Sequence, residues 1–190
     1  MKNKYLHIVF IWFLGLSLFA QNEYKPFKVD IGLLWGEVHK HDIGLISPYV
    51  EPKYNINKHF SVGLRLEYFF YKKDGFIDYD PNNPYLSDLD AAGWNLSTVA
   101  TVDYYFNTNF IRPFIGIGAG AYFMYIDKEN TYIESITEKG VAFGYVPRIG
   151  FNVGQFRIAC EYNFINSKNF DLDYFALKIG YEIGGGKKHF

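Results

Sequence analysis

Four short patterns hold residue types that can do chemistry. His39-Lys-His41, flanked by Glu37 and Asp42, offers two imidazoles and a carboxylate to a metal ion. His59-Phe-Ser61 has the spacing of a His-x-Ser pair, in which an imidazole activates a hydroxyl. Asp78-Tyr-Asp-Pro-Asn82 opens like a calcium loop, and Gly116-Ile-Gly-Ala-Gly-Ala121 matches the dinucleotide fingerprint with Ala last. Each pattern lacks the element that would make it work. The His-x-His stretch has no third fixed ligand, and the calcium loop holds Asn83 where Gly is needed and Leu89 where Glu is needed. A pyrophosphate site needs a helix N-terminus after its glycines, whereas Tyr122-Phe-Met-Tyr125 continues as a strand. No oxyanion donors can be placed beside His59 and Ser61, so no reaction class can be written. The expectation is a protein with no catalytic residue, no cofactor and no metal.

What must be positioned, then, is a fold. The chain has 190 residues, 21% of them aromatic, which is one domain's length and too rich in Tyr and Phe for disorder. With 19 basic against 20 acidic residues, no excess charge supports a nucleic-acid partner. No charge-free apolar run reaches 18 residues, which excludes a polytopic helical membrane protein. Lys2 and Lys4 precede an apolar stretch that ends at Ala20 before polar Gln21, the pattern of a secretory leader. The expected organisation is a signal peptide over 1–20 and one domain over 21–190. Cys160 is the only thiol, so no intrachain disulfide forms.

Three similar junctions recur: Tyr54-Asn-Ile-Asn-Lys-His-Phe60, Tyr105-Phe-Asn-Thr-Asn-Phe110 and Phe151-Asn-Val-Gly-Gln-Phe156. Asn tolerates left-handed backbone and bonds its own chain, so each reads as a tight hairpin turn. Between them, apolar and polar residues alternate with the period of strands that have two unlike faces. Over 59–71, Phe60, Val62, Leu64, Leu66, Tyr68 and Phe70 share one face, and Ser61, Gly63, Arg65 and Glu67 the other. The same reading gives eight strands: 26–36, 45–55, 59–71, 92–106, 112–125, 140–152, 155–164 and 172–184. Short turns alternate with longer links at 37–44, 72–91, 126–139 and 165–171. An all-β, eight-stranded antiparallel up-and-down barrel crossing the outer membrane follows, with its long links at one end. Pro48, Pro52 and Pro147 fall inside these strands, and bulges are expected there.

The same alternation would suit a soluble barrel with its apolar side inward. An eight-stranded bore is too narrow for dozens of large apolar side chains, so they belong outside. Aromatics on that face form two girdles: Tyr54, Phe60, Phe106, Phe151 and Phe156 toward the short turns, and Trp35, Phe70, Trp94, Tyr125 and Phe164 toward the long links. The opposite face carries six bases and six acids: Lys28, Asp30, Glu51, Lys53, Arg65, Glu67, Asp103, Arg148, Arg157, Glu161, Lys178 and Glu182. Enclosed charges must pair, and the balance fits a bore filled by an ion-pair network. Gly116, Gly118 and Gly120 share this inward face and are expected to leave room for long basic side chains.

On its architecture, and on segments such as Arg112-Pro-Phe-Ile-Gly-Ile-Gly-Ala-Gly-Ala121 and Leu177-Lys-Ile-Gly-Tyr181, the chain resembles the small outer-membrane β-barrel superfamily of Gram-negative bacteria. Its members include the OmpA transmembrane domain, OmpX and the opacity-type proteins. The resemblance implies an outer-membrane location, lipid neighbours, the barrel-assembly machinery as a transient partner, and a terminal aromatic closing the last strand. Here seven residues, Gly184-Gly-Gly-Lys-Lys-His-Phe190, run past that strand. The expected role is structural or adhesive, with an extracellular ligand met by four loops. The longest loop, 74–90, holds five aspartates among aromatics. Two alternatives remain: a narrow channel for a small solute, and a lipid A-modifying enzyme using His59 and Ser61.

Overall fold

The computed structural model describes residues 26–38, 43–76, 89–130, 133–167 and 173–185. Eight strands run β1 Phe27–Val38, β2 Ile43–Asn55, β3 Phe60–Phe76, β4 Leu89–Tyr105, β5 Ile111–Asn130, β6 Ile133–Val153, β7 Phe156–Asn166 and β8 Tyr174–Gly184. Each pairs antiparallel with the next, and β8 pairs with β1 to close the barrel. The leader expected over 1–20, the His39–His41 pattern and the Asp78–Asn82 pattern lie outside the described residues.

Closure imposes a tilt. From Lys28 the ladder partners run through Lys53, Gly63, Thr101 and Gly118 to Val146. The β6–β7 ladder carries that row to Asn163, which faces Tyr174, which faces Val38, ten residues up the starting strand. For eight strands such a stagger corresponds to a tilt of about 40°.

Strands β3 to β6 run further than the hydrophobic pattern reaches. The 126–139 link is largely strand, because β5 continues to Asn130 and β6 begins at Ile133. The 72–91 link shrinks likewise to the interval between Phe76 and Leu89. The ladder needs only backbone donors and acceptors, so pairing persists where the side chains turn polar. The expected bulges at the prolines are absent. Register is continuous through Pro48, Pro52 and Pro147 on one side. On the other, β2–β3 pairing begins only at Tyr49 and skips Glu51 and Pro52, and β6–β7 pairing skips Val146 and Pro147. Each proline therefore forfeits bonds to one neighbour without inserting a residue. Register shifts occur instead near the long-link end, between Lys73 and Phe76 and between Lys128 and Asn130.

The three short turns differ in what makes them. Asn57 Oδ1 accepts bonds from the amides of His59 and Phe60, both at 2.8 Å, and Asn107 Oδ1 accepts from Asn109 N at 3.1 Å. In the third, the turn residue is Gly154, with φ 60°, while Asn152 lies in β6 and is fully buried. Glycine takes that conformation without the Cβ clash that other residues suffer.

Candidate functional site

The wall is apolar outward. Phe27, Ile31, Leu33, Trp35, Ile46, Leu64, Leu66, Ile117, Phe143, Ile149, Ile179 and Ile183 are all exposed. Of the girdle residues, Trp35, Tyr54, Phe60, Phe70, Phe106, Phe151 and Phe156 are exposed, and Trp94, Tyr125 and Phe164 are half-buried against neighbours. Trp94 stacks on Tyr125 at 5.6 Å and Phe164 on Tyr145 at 4.6 Å. Among the described strand side chains, the outward face carries only two charged ones, Glu37 and Lys139, both at the long-link end.

The bore holds the charges. All twelve charged residues expected in the bore are at most 5% exposed, and Arg112, half-buried on the same face of β5, lies over the Tyr105 ring at 4.3 Å. Near the middle, Arg148 binds Asp103 through Nε at 2.7 Å and Glu51 through Nη2 at 2.8 Å. Arg157 binds Asp103 at 3.0 Å and Asp30 at 3.3 Å, and Lys53 lies 3.3 Å from both Glu51 and Asp103. Toward the short turns, Lys28 meets Glu182 at 2.8 Å. Toward the long links, Lys178 binds Glu67 at 2.7 Å and Glu161 at 3.1 Å, while Arg65 donates to Glu161 and to Asn163. Arg148 also approaches Glu161 at 3.7 Å, joining the two halves into one network. Six opposed pairs of charges therefore compensate one another where a lone ion would cost several kcal/mol.

Neutral partners complete it, and the charge pattern alone did not identify them. Tyr174 donates to Glu67 at 2.5 Å, Thr101 to Glu51 at 2.5 Å and Tyr49 to Asp30 at 3.2 Å. Tyr105 Oη accepts from Lys28 and Arg157. The usable signal was parity: all four occupy inward positions between the charged ones. Glycines leave room for the network, though not all three on β5. A Cβ on Gly116 would sit 2.3 Å from Asp103 Oδ1, and one on Gly180 would sit 2.1 Å from Tyr49 Oη. Gly118 and Gly120 instead meet Val99 and the β4 backbone, so they admit no basic side chain.

Above the network the bore turns apolar. Leu34, Phe69, Val99, Tyr122, Met124, Val146, Ile165 and Tyr174 form one buried cluster at the long-link end, and Phe69 meets Tyr174 edge-on at 5.6 Å. Below it, Tyr105, Phe114 and Ala159 form a smaller cluster.

The described residues assemble no nucleophile–base pair. Ser61 Oγ is buried without a hydrogen-bond partner. His59 Nδ1 is 2.7 Å from the Tyr105 carbonyl oxygen, which makes that nitrogen the donor, and its ring stacks on Tyr104. No group of three potential metal ligands is found among the described residues.

A closed antiparallel ring whose apolar side chains face out and whose ions face in is built to stand in lipid: it is a transmembrane β-barrel. No family model and no curated protein matches the sequence. Among solved structures, the chain is similar to Ail, the attachment invasion locus protein of Yersinia pestis, in complex with the heparin analogue sucrose octasulfate. The identity is 14% and the TM-score 0.52, covering 84% of this chain and 98% of that one. It is also similar to Neisserial surface protein A, at 15% identity and a TM-score of 0.49, covering 86% and 97%. The chain has the fold of the small eight-stranded outer-membrane β-barrels.

Proposed function

We propose that the protein is a non-enzymatic outer-membrane barrel whose bore is plugged by its own side chains, and that recognition belongs to the connections at the long-link end. One observation carries this reading: the buried cluster around Leu34, Phe69, Val99 and Tyr122 sits across the bore directly above the ion-paired residues. An eight-stranded barrel filled in this way leaves no aqueous path for bulk transport. An adhesive role is supported by the fold shared with a protein named for attachment and invasion. The extracellular ligand would meet the loops 39–42, 77–88, 131–132 and 167–173. Residues 1–20 act as the export leader, and the assembly machinery inserts the barrel into outer-membrane lipid.

The decisive experiment is single-channel recording in planar bilayers. The expected trace is silent. Steady conductance steps would assign a narrow solute conduit instead, and an altered lipid A mass in overproducing cells would assign catalysis. Adhesion is tested by replacing residues 77–88 with a Gly/Ser linker, which should abolish attachment while the barrel still folds.

A further inference from the structure

Three bases from three strands converge on one ring at the short-turn end of the bore. Lys28 of β1 and Arg157 of β7 both donate to Tyr105 Oη, at 3.0 and 3.1 Å. Arg112, the second residue of β5, lies over the same ring with Cζ 4.3 Å from its centre. Lys28 and Arg157 are buried, whereas Arg112 is half-buried and so is the base that solvent at the mouth can reach. A guanidinium held by its face keeps its N–H groups in plane, where two of them can meet the two oxygens of a carboxylate. Asn152 stands between the two arginines, facing Arg112 across the β5–β6 ladder and Arg157 across the β6–β7 ladder. Its Oδ1 accepts from Arg157 Nη1 at 3.4 Å, so its Nδ2 is turned away from that cation. Asn152 is fully buried, and Nδ2 has no hydrogen-bond partner among the described residues. An enclosed donor in that condition is costly to keep unless something accepts from it.

Charge decides what would accept. Among the described strand side chains the bore holds seven bases, Arg112 included, and six acids. Each of the six acids lies within 3.3 Å of one of the other six bases. Outside the bore, the described residues of the short-turn end include Lys58 and His59 and no acid. The mouth therefore carries one positive charge beyond those the bore's own acids balance, beside an amide that can only donate through Nδ2. A single carboxylate neutralises that excess and uses both donors, whereas a phosphate dianion would overshoot it.

We propose that the short-turn mouth of the bore is a binding site for a carboxylate carried by a small solute or a peptide terminus. The carboxylate meets the in-plane N–H groups of Arg112 and accepts from Asn152 Nδ2. Tyr105 holds the guanidinium by its ring, and Lys28 and Arg157 fix the Tyr105 hydroxyl. This site lies at the opposite end of the barrel from the long links and stands whether or not those links bind a ligand.

The test uses the ¹⁵N-labelled chain from Gln21 onward, refolded in zwitterionic detergent. N-acetylalanine, its amide and inorganic phosphate are titrated at constant ionic strength while the Asn152 side-chain NH₂ and Arg112 Nε–H resonances are followed by NMR. N-acetylalanine should shift both saturably, and the amide, which lacks the carboxylate, should shift neither. Arg112→Gln should weaken binding at least tenfold and Asn152→Ala at least threefold, while Lys58→Gln, in the exposed turn between β2 and β3, should stay within twofold of the parent. Heat-dependent gel mobility checks that each variant is folded, and the comparison of acid with amide in the parent chain needs no variant. Equal shifts from acid and amide, or no shift from either, overturn the proposal. So does binding that survives Arg112→Gln, or that falls as far in Lys58→Gln, which would mark diffuse attraction to a basic surface. Phosphate binding more tightly than N-acetylalanine overturns the assignment to a carboxylate.

Discussion

Asp103 Oδ1 accepts a hydrogen bond from Arg148 Nε at 2.7 Å across Gly116 of β5, the glycine that faces both residues in the ladder. A Cβ there would come within 2.3 Å of the carboxylate oxygen and 3.0 Å of the guanidinium nitrogen, and within 2.7 Å of the Val102 carbonyl oxygen. The backbone atom cannot yield as a flexible side chain would. Gly116→Ala should therefore destabilise the barrel by about 2 to 3 kcal/mol, as overpacking and a displaced ion pair act together. The midpoint of the heat-induced mobility shift in detergent measures it, and an unchanged midpoint refutes it.

Arg65 is fully buried and serves Glu161, Glu67 and Asn163 together. Replacing it with leucine leaves two carboxylates sharing Lys178. Arg65→Leu should cost about 3 to 5 kcal/mol. Adding Glu161→Leu should recover part of that loss, because one stranded charge is then gone. Urea unfolding in liposomes of the parent chain, both single variants and the double variant gives the coupling directly, and strict additivity would contradict a shared network.

Leu64 points outward between Val62 and Leu66 and is paired with Ala100, another outward residue. Leu64→Arg should cost about 2 to 4 kcal/mol if the site is near the bilayer midplane. In detergent micelles, which deform around a cation more readily than a bilayer, the loss should be smaller. Equal stability of variant and parent in bilayers would count against a lipid-facing wall.

Gly154 holds φ 60° in the turn between β6 and β7, with Phe110 3.0 Å from the position of a Cβ. Gly154→Ala should cost about 1 to 2 kcal/mol from the left-handed backbone alone. Gly154→Asn should cost less, since asparagine tolerates that region. Reversal of that order in unfolding midpoints would show that contact with Phe110, rather than backbone strain, governs the turn.

Alternation by itself determined most of this architecture. A strand residue's parity fixes its face, so Arg65 and Glu67 had to oppose Leu64 and Leu66 whatever the rest of the chain did. The narrowness of eight strands then decided which face was inside, and the near balance of inward acids and bases followed from the cost of an unpaired enclosed ion. Strand ends past Tyr125 and before Gly140 were not legible, because backbone pairing there continues under polar side chains that carry no burial signal. Nor were the effects of Pro52 and Pro147, which depend on which neighbour each missing N–H would have faced.

Pairing within the bore was decided only by closure and stagger. Arg148 reaches Asp103 and Glu51, on strands two and four away around the ring, because the ten-residue shear brings distant positions to one level. Sequence spacing has no access to that offset. The apolar seal around Phe69 and Tyr122 likewise arises from inward residues of several strands meeting at one height. Parity along a strand is a local property of the backbone, whereas height in a tilted barrel is shared by all eight strands and exists only once the ring is complete.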